Sequence, residues 1–179
     1  MTHTRPMIDE TYRTIIQQLE QNIRPRIPNS PELMAELKQA MEDERPPTDQ
    51  TLCVLCHLAS PDPSMTKNLL SHLKTDYPTE TQIFILEAVQ KHILDARMIS
   101  GDRLTPEFLK AFNDYLSLAP KKVLYFIIGI IEGCGAQSIF FRQGLKNLKW
   151  GILDAFKKEY RETITRIDAL ENRWQKMLK

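Results

Sequence analysis

Long apolar runs, glycine and cysteine are all in short supply in this 179-residue chain. The longest uncharged apolar run is 123–131, nine residues, and Glu132 closes it. A membrane-crossing helix needs about 20 apolar residues, so this run predicts a buried core helix instead. Residues 1–9 contain no apolar stretch of the kind a secretory leader carries. Three cysteines, Cys53, Cys56 and Cys134, are an odd number and form no disulfide framework, which predicts a reducing, cytoplasmic setting. No G-x-S-x-G, P-loop or G-x-G-x-x-G occurs, which removes the commonest signatures of hydrolases and of nucleotide-dependent enzymes. No His-Glu dipeptide occurs either, which removes the helical-repeat iron hydroxylases. There is almost no net charge, +1 overall.

That neutrality hides a polarity. Residues 1–100 carry a net −4, residues 101–139 carry 0, and residues 140–179 carry +5. An acidic beginning and a basic end fit a solvated basic helix, or a late surface for nucleic acid, anionic lipid or an acidic protein. Proline and glycine are also segregated. All 11 prolines lie at or before Pro120, and five of the six glycines lie after it. With hydrophobic residues at 42% and charged residues at 26%, the chain is an ordinary globular sequence.

The early prolines punctuate helices. Ile8, Tyr12, Ile15, Ile16, Leu19 and Ile23 are spaced by three or four, which predicts an amphipathic helix over 8–23. Ser30 before Pro31 starts a second helix, with Leu33, Leu37 and Met41 on one face. Thr48 or Asp49 caps a helix over 49–59, which Pro61 and Pro63 end. Ser64 opens a helix that runs toward Pro78, and Thr79 opens a longer one. Thr105 and Pro106 begin another, ending at Pro120. Nothing in this punctuation asks for strands.

Three of these helices open on the same phrase. Pro47-Thr48-Asp49-Gln50-Thr51-Leu52-Cys53-Val54-Leu55 aligns with Pro78-Thr79-Glu80-Thr81-Gln82-Ile83-Phe84-Ile85-Leu86. A looser copy begins at Pro120, and the three start 31 and then 42 residues apart. The following helices match as well, with Leu70 opposite Phe112 and Leu73 opposite Tyr115 at the offset of 42. On these residues the chain resembles HEAT and armadillo repeats. The resemblance implies an all-α fold of helix–turn–helix pairs stacked as a short α-solenoid, with an irregular multi-helix bundle as the alternative. It divides the chain into an N-terminal helical pair over 1–46, a cap or an arm, and a repeat domain over 47–179. The last stretch, 148–178, reads as one long basic helix with apolar residues from Trp150 to Met177. Such a rod outruns the domain, and its second half needs a cover from the N-terminal helix or from a second copy of the chain.

Two groups of residues carry candidate chemistry. Cys53-Val54-Leu55-Cys56-His57 fits the C-x-x-C-H of covalent haem attachment. It also offers three zinc ligands that would need His72 or His92 as a fourth. Against both, the segment overlays an apolar helix in a repeat copy lacking these residues, and no second cysteine pair exists. Core packing is the expected role, with no cofactor and no catalytic residue. Gly129 and Gly133 lie four apart and predict a close helix approach. Glu132 is the one carboxylate expected to be partly buried, and a neighbouring Lys or Arg is its expected partner. The second group is Arg142, Lys146, Lys149, Trp150, Lys157, Arg161 and Trp174, basic residues interleaved with aromatic ones. It predicts a protein-binding surface in which cations steer a partner and Trp174 anchors it. The same basic face could hold nucleic-acid phosphates, the alternative reading.

Overall fold

Capping residues set where the helices of this chain begin. The computed structural model describes residues 5–148, 154 and 157–178. In it the side chains of Ser30, Thr48 and Thr105 each accept a hydrogen bond from the backbone N–H three residues on. Each replaces a partner that a first-turn amide lacks, worth about 1 kcal/mol. They start α2 (Pro31–Asp43), α3 (Asp49–His57) and α7 (Pro106–Leu118) where the sequence predicts. α1 (Pro6–Glu20) precedes them. Between α3 and α7 lie α4 (Thr66–Ser71), α5 (Thr79–Val89), a π-helical segment (Gln90–Asp95) and α6 (Ala96–Ser100). Three elements complete the fold: α8 (Leu124–Gly133), α9 (Arg142–Lys146) and α10 (Lys158–Met177). Short 3₁₀ turns lead into α4, α8 and α9. The described residues are all-α: they hold no strand, only one isolated bridge between Ile27 and Leu58.

Packing is sequential. α1 lies on α3, α3 on α5, α5 on α8, and α8 on α10. α2 lies on α4, α4 on α7, and α7 on α9. The core follows these contacts. Leu37, Met41, Leu52, Leu55, Phe112, Ile127, Ile128 and Phe141 are all fully enclosed. The polar ties follow them too. Side-chain hydrogen bonds between described residues more than a dozen positions apart join residues separated by 27 to 41 positions. Asn29 and Ser60 exchange two bonds, and Leu104 and Gln137 do the same. The N-terminal pair belongs to this scheme, since α1 and α2 pack on α3 and Arg5 pairs with Asp43 and Glu44.

Several expectations are corrected. α1 stops at Glu20, and Asn22 turns the chain with a φ of 57°. Leu19 and Ile23, expected on its buried stripe, are 45% and 50% exposed. α4 ends at Ser71, well before Pro78, because His72 turns inward to the Met41 carbonyl, 2.6 Å from its Nε2. The long terminal helix is not continuous. Lys157 has extended backbone angles and α10 starts after it. Nor does α10 outrun the domain: it lies along α8, and Leu170 and Trp174 are buried within the chain. The expected glycine approach is present. A Cβ on Gly133 would come within 2.7 Å of Leu94, and one on Gly129 would touch Arg166 at 3.4 Å.

His72 and His92 are both enclosed polar groups. His92 Nδ1 accepts from the Asp62 amide at 2.9 Å, so its Nε2–H donates to the Leu55 carbonyl at 3.0 Å. Burial disfavours the cation, and Lys91 beside it pushes the same way, so the His92 pKa is pushed below 6.5. Burial, with Arg45 and Lys74 nearby, lowers that of His72 as well. A histidine depressed in the folded state binds more protons when unfolded. Its contribution to stability is therefore present above the unfolded value and lost as pH falls through it. The melting temperature should drop between about pH 7.5 and about pH 5.5, and the drop should shrink in His92→Gln, which cannot titrate. Thermal denaturation across that range checks it.

Candidate binding surface

α3 carries Cys53, Cys56 and His57 on its last turns, and each has a local partner. His57 Nδ1 lies 2.8 Å from the Cys53 carbonyl oxygen. Cys56 Sγ donates to the Phe84 carbonyl of α5 at 3.5 Å. Burial, with Glu87 and Cys53 adding to it, pushes the Cys56 thiol up to about 12. Burial and Asp49 raise Cys53 as well. These thiols stay protonated at neutral pH, whereas metal ligation and nucleophilic attack use the thiolate. The two histidines that could complete a zinc site are engaged elsewhere, His72 with Met41 and His92 with Leu55 and Asp62. Among the described residues no three His, Cys, Asp or Glu side chains converge on a metal position. Cys134 is buried, its thiol also pushed up to about 12 by burial.

The basic C-terminal group is only partly brought together. Arg142 on α9 pairs with Glu171 on α10, its Nε 3.0 Å from both carboxylate oxygens. Lys146 approaches the same carboxylate at 3.6 Å. The Arg142 hydrogen bond holds Glu171 down at about 2, so the pair stays ionised at any ordinary pH. Two of the expected steering cations are thus turned toward an internal acid. Lys157 lies 3.7 Å from Asp154 and over the Tyr160 ring at 5.6 Å. Arg161 is exposed on α10. Lys149 and Trp150 lie outside the described residues.

Trp174 is a correction. It is 1% exposed, and its indole N–H donates to Ser138 Oγ at 2.9 Å. Arg173 donates to the same oxygen at 3.0 Å. Trp174 fastens α10 to the turn after α8, so an anchor for a partner it is not. Phe141 is likewise buried, edge-on to Phe112 at 5.6 Å, while Phe140 is half exposed. Glu132 has the partner expected of it. Arg166 of α10 reaches its two oxygens at 3.1 and 2.5 Å and lies 4.8 Å over the Tyr125 ring.

A cleft of about 810 Å³ lies beside the end of α3, lined by Cys56 and His57 of the candidate cluster and by residues that the sequence did not single out as a site. Its walls are the end of α1 and the loop after it, the C-terminal end of α3, and α5 with the π-helical segment. Apolar Leu19, Ile23 and Pro25 line it together with the cations Arg24, Arg26 and Lys91, and with Cys56 and His57 from α3. Lys91 Nζ donates to the Cys56 carbonyl at 2.8 Å and to that of Leu58. Burial lowers its pKa, and Arg24 and Arg26 push the same way. Glu87 is the one acid on the rim. A second cleft of about 320 Å³ shares Glu87 and continues between α5 and α8 to Arg166. The signal in the sequence was Leu19 and Ile23 beside Arg24-Pro25-Arg26. Nothing in it places Lys91 there.

Replacing Trp174 with Ala should act on stability. Emptying a buried aromatic site costs about 3–5 kcal/mol. In a chain of this size that lowers the melting temperature by roughly 10 °C. An unchanged melting temperature with weakened partner binding would return Trp174 to the surface.

No family model, curated protein or solved structure matches the chain.

Proposed function

We propose that the protein is a non-catalytic protein-interaction module, an adaptor, scaffold or regulator, whose helix pairs stack as a short solenoid. One observation supports this above the others. Long-range hydrogen bonds between described residues stay within 27 to 41 positions, about one helical pair. The element contacts form two successions, α1, α3, α5, α8, α10 and α2, α4, α7, α9. Bonding that reaches only the neighbouring pair is the hallmark of quasi-one-dimensional repeat proteins. An irregular bundle mixes sequence separations more widely. Stacks of this kind offer a long surface that crosses successive helices, and their common use is to hold another macromolecule.

Catalysis has little to stand on. The cysteines of α3 are held protonated by burial, and His72 and His92 are engaged with backbone groups. Nucleic acid is the weaker of the two binding readings. Arg142 and Lys146 face Glu171, so less of the late positive charge is left for phosphates. Arg161 remains as an exposed cation on that side of a partner surface, and Lys157 is exposed but lies beside Asp154.

Affinity purification of the tagged protein, with and without nuclease, tests the reading. A stoichiometric protein that survives nuclease is the expected result. Loss of all bound material on nuclease treatment, with retention on heparin that falls steeply with salt, would replace it with nucleic-acid binding.

A further inference from the structure

The two clefts share Glu87, and together they form one path over the row α1, α3, α5, α8 and α10. Its ends differ in chemistry. At the α1 end Arg24 and Arg26 are exposed, and neither has an ion pair among the described residues. Lys91 adds a third positive charge, held by backbone carbonyls and without an ion pair among the described residues. Leu19 and Ile23 stand exposed beside these cations. Beyond Glu87 the path is lined mainly by apolar and aromatic residues, Leu86, Tyr125, Phe126 and Ile130, with Gln90 and with Arg166, which is paired with Glu132. Neighbouring helices pack about 8–10 Å apart. The path from α1 to α10 is then about 30–40 Å long, the reach of about 10–12 extended residues.

We infer that this path is a docking groove for an extended segment of a partner protein, acidic at one end and apolar or aromatic at the other. This rests on the protein-binding reading and adds the chemistry of what is bound. Charge complementarity selects the occupant. Unpaired guanidinium groups beside exposed apolar side chains suit Asp or Glu followed by large apolar residues. A free phosphate would use the cations alone and leave the exposed Leu19 and Ile23 beside them without a partner. A nucleic-acid strand is poorer still, because its phosphates would run past Glu87, which both clefts share.

A displayed library of random 12-residue peptides, selected on the whole protein, tests the groove. Selected sequences should carry Asp or Glu in one half and Phe, Tyr, Leu or Ile in the other. Arg24→Glu combined with Arg26→Glu should weaken the synthesised consensus peptide by roughly tenfold or more, about 1.4 kcal/mol per tenfold. The melting temperature should stay unchanged, since both side chains are exposed. Tyr125→Ala should weaken the same peptide through its other half. No enrichment, a basic consensus, or binding indifferent to both changes would overturn the groove. If the doubly substituted protein still captures its nuclease-resistant partner at full affinity, the protein-binding reading stands and the groove falls. If wild-type protein holds only nucleic acid, the reading itself falls.

Discussion

The end of α3 is the point on which this fold depends. A helix leaves its last carbonyls without intrahelical partners, and buried ones must find donors elsewhere. Here the donors come from the loop after α1 and from the π-helical segment after α5. The Ile27 amide takes the His57 carbonyl at 2.9 Å. His92 takes Leu55, and Lys91 takes Cys56 and Leu58. Lys91 and His92 are adjacent in sequence, and adjacent residues of an α-helix point about 100° apart. The π-helical segment over Gln90–Asp95 is where both nevertheless serve the same helix end. Such wide turns are rare and carry a cost in helix geometry. Here the gain is that α1, α3 and α5 are locked at one edge.

Similar ties recur along the chain. His72 meets Met41, Tyr115 donates to Gln82 at 2.7 Å, Gln137 exchanges bonds with Leu104, and Trp174 reaches Ser138. Each joins one unit to the next. Titratable and polar groups that look functional in isolation are used as fasteners, and this accounts for the lack of a convergent polar centre in the described interior. On the protein-binding proposal, the outer face of the row is what remains for a partner. The loop after α1 supplies its unpaired arginines there because that loop is bound through Ile27 and Asn29, which leaves Arg24 and Arg26 to solvent.

Sequence periodicity made the local structure legible. Ser30, Thr48 and Thr105 cap helices because a short polar side chain before a helix has one good use, and Pro31 and Pro106 suit the position after it. The shared phrases at Pro47, Pro78 and Pro120 mark three helix starts as well, though only the first carries a side-chain cap, Thr48. What stayed hidden depends on partners distant in the chain. The π-helical segment is dictated by the end of α3, more than thirty residues away. Trp174 has the spacing of an apolar stripe whether its cover is this chain or another, and only the packing of α10 on α8 decides. Arg142 and Glu171 are 29 positions apart, so their pairing cannot be read from helix spacing. The charge segregation is real along the sequence but is partly cancelled in space.

Hydrogen exchange of the His92→Ala variant tests the central claim most directly, that each unit is held by its neighbours alone. Loss of that fastener should speed exchange in α3 and α5 and in the helices beside them, while α10 keeps its native protection under mildly destabilising conditions. Equal acceleration in every helix, α10 included, would contradict a chain of neighbour contacts and indicate one undivided core.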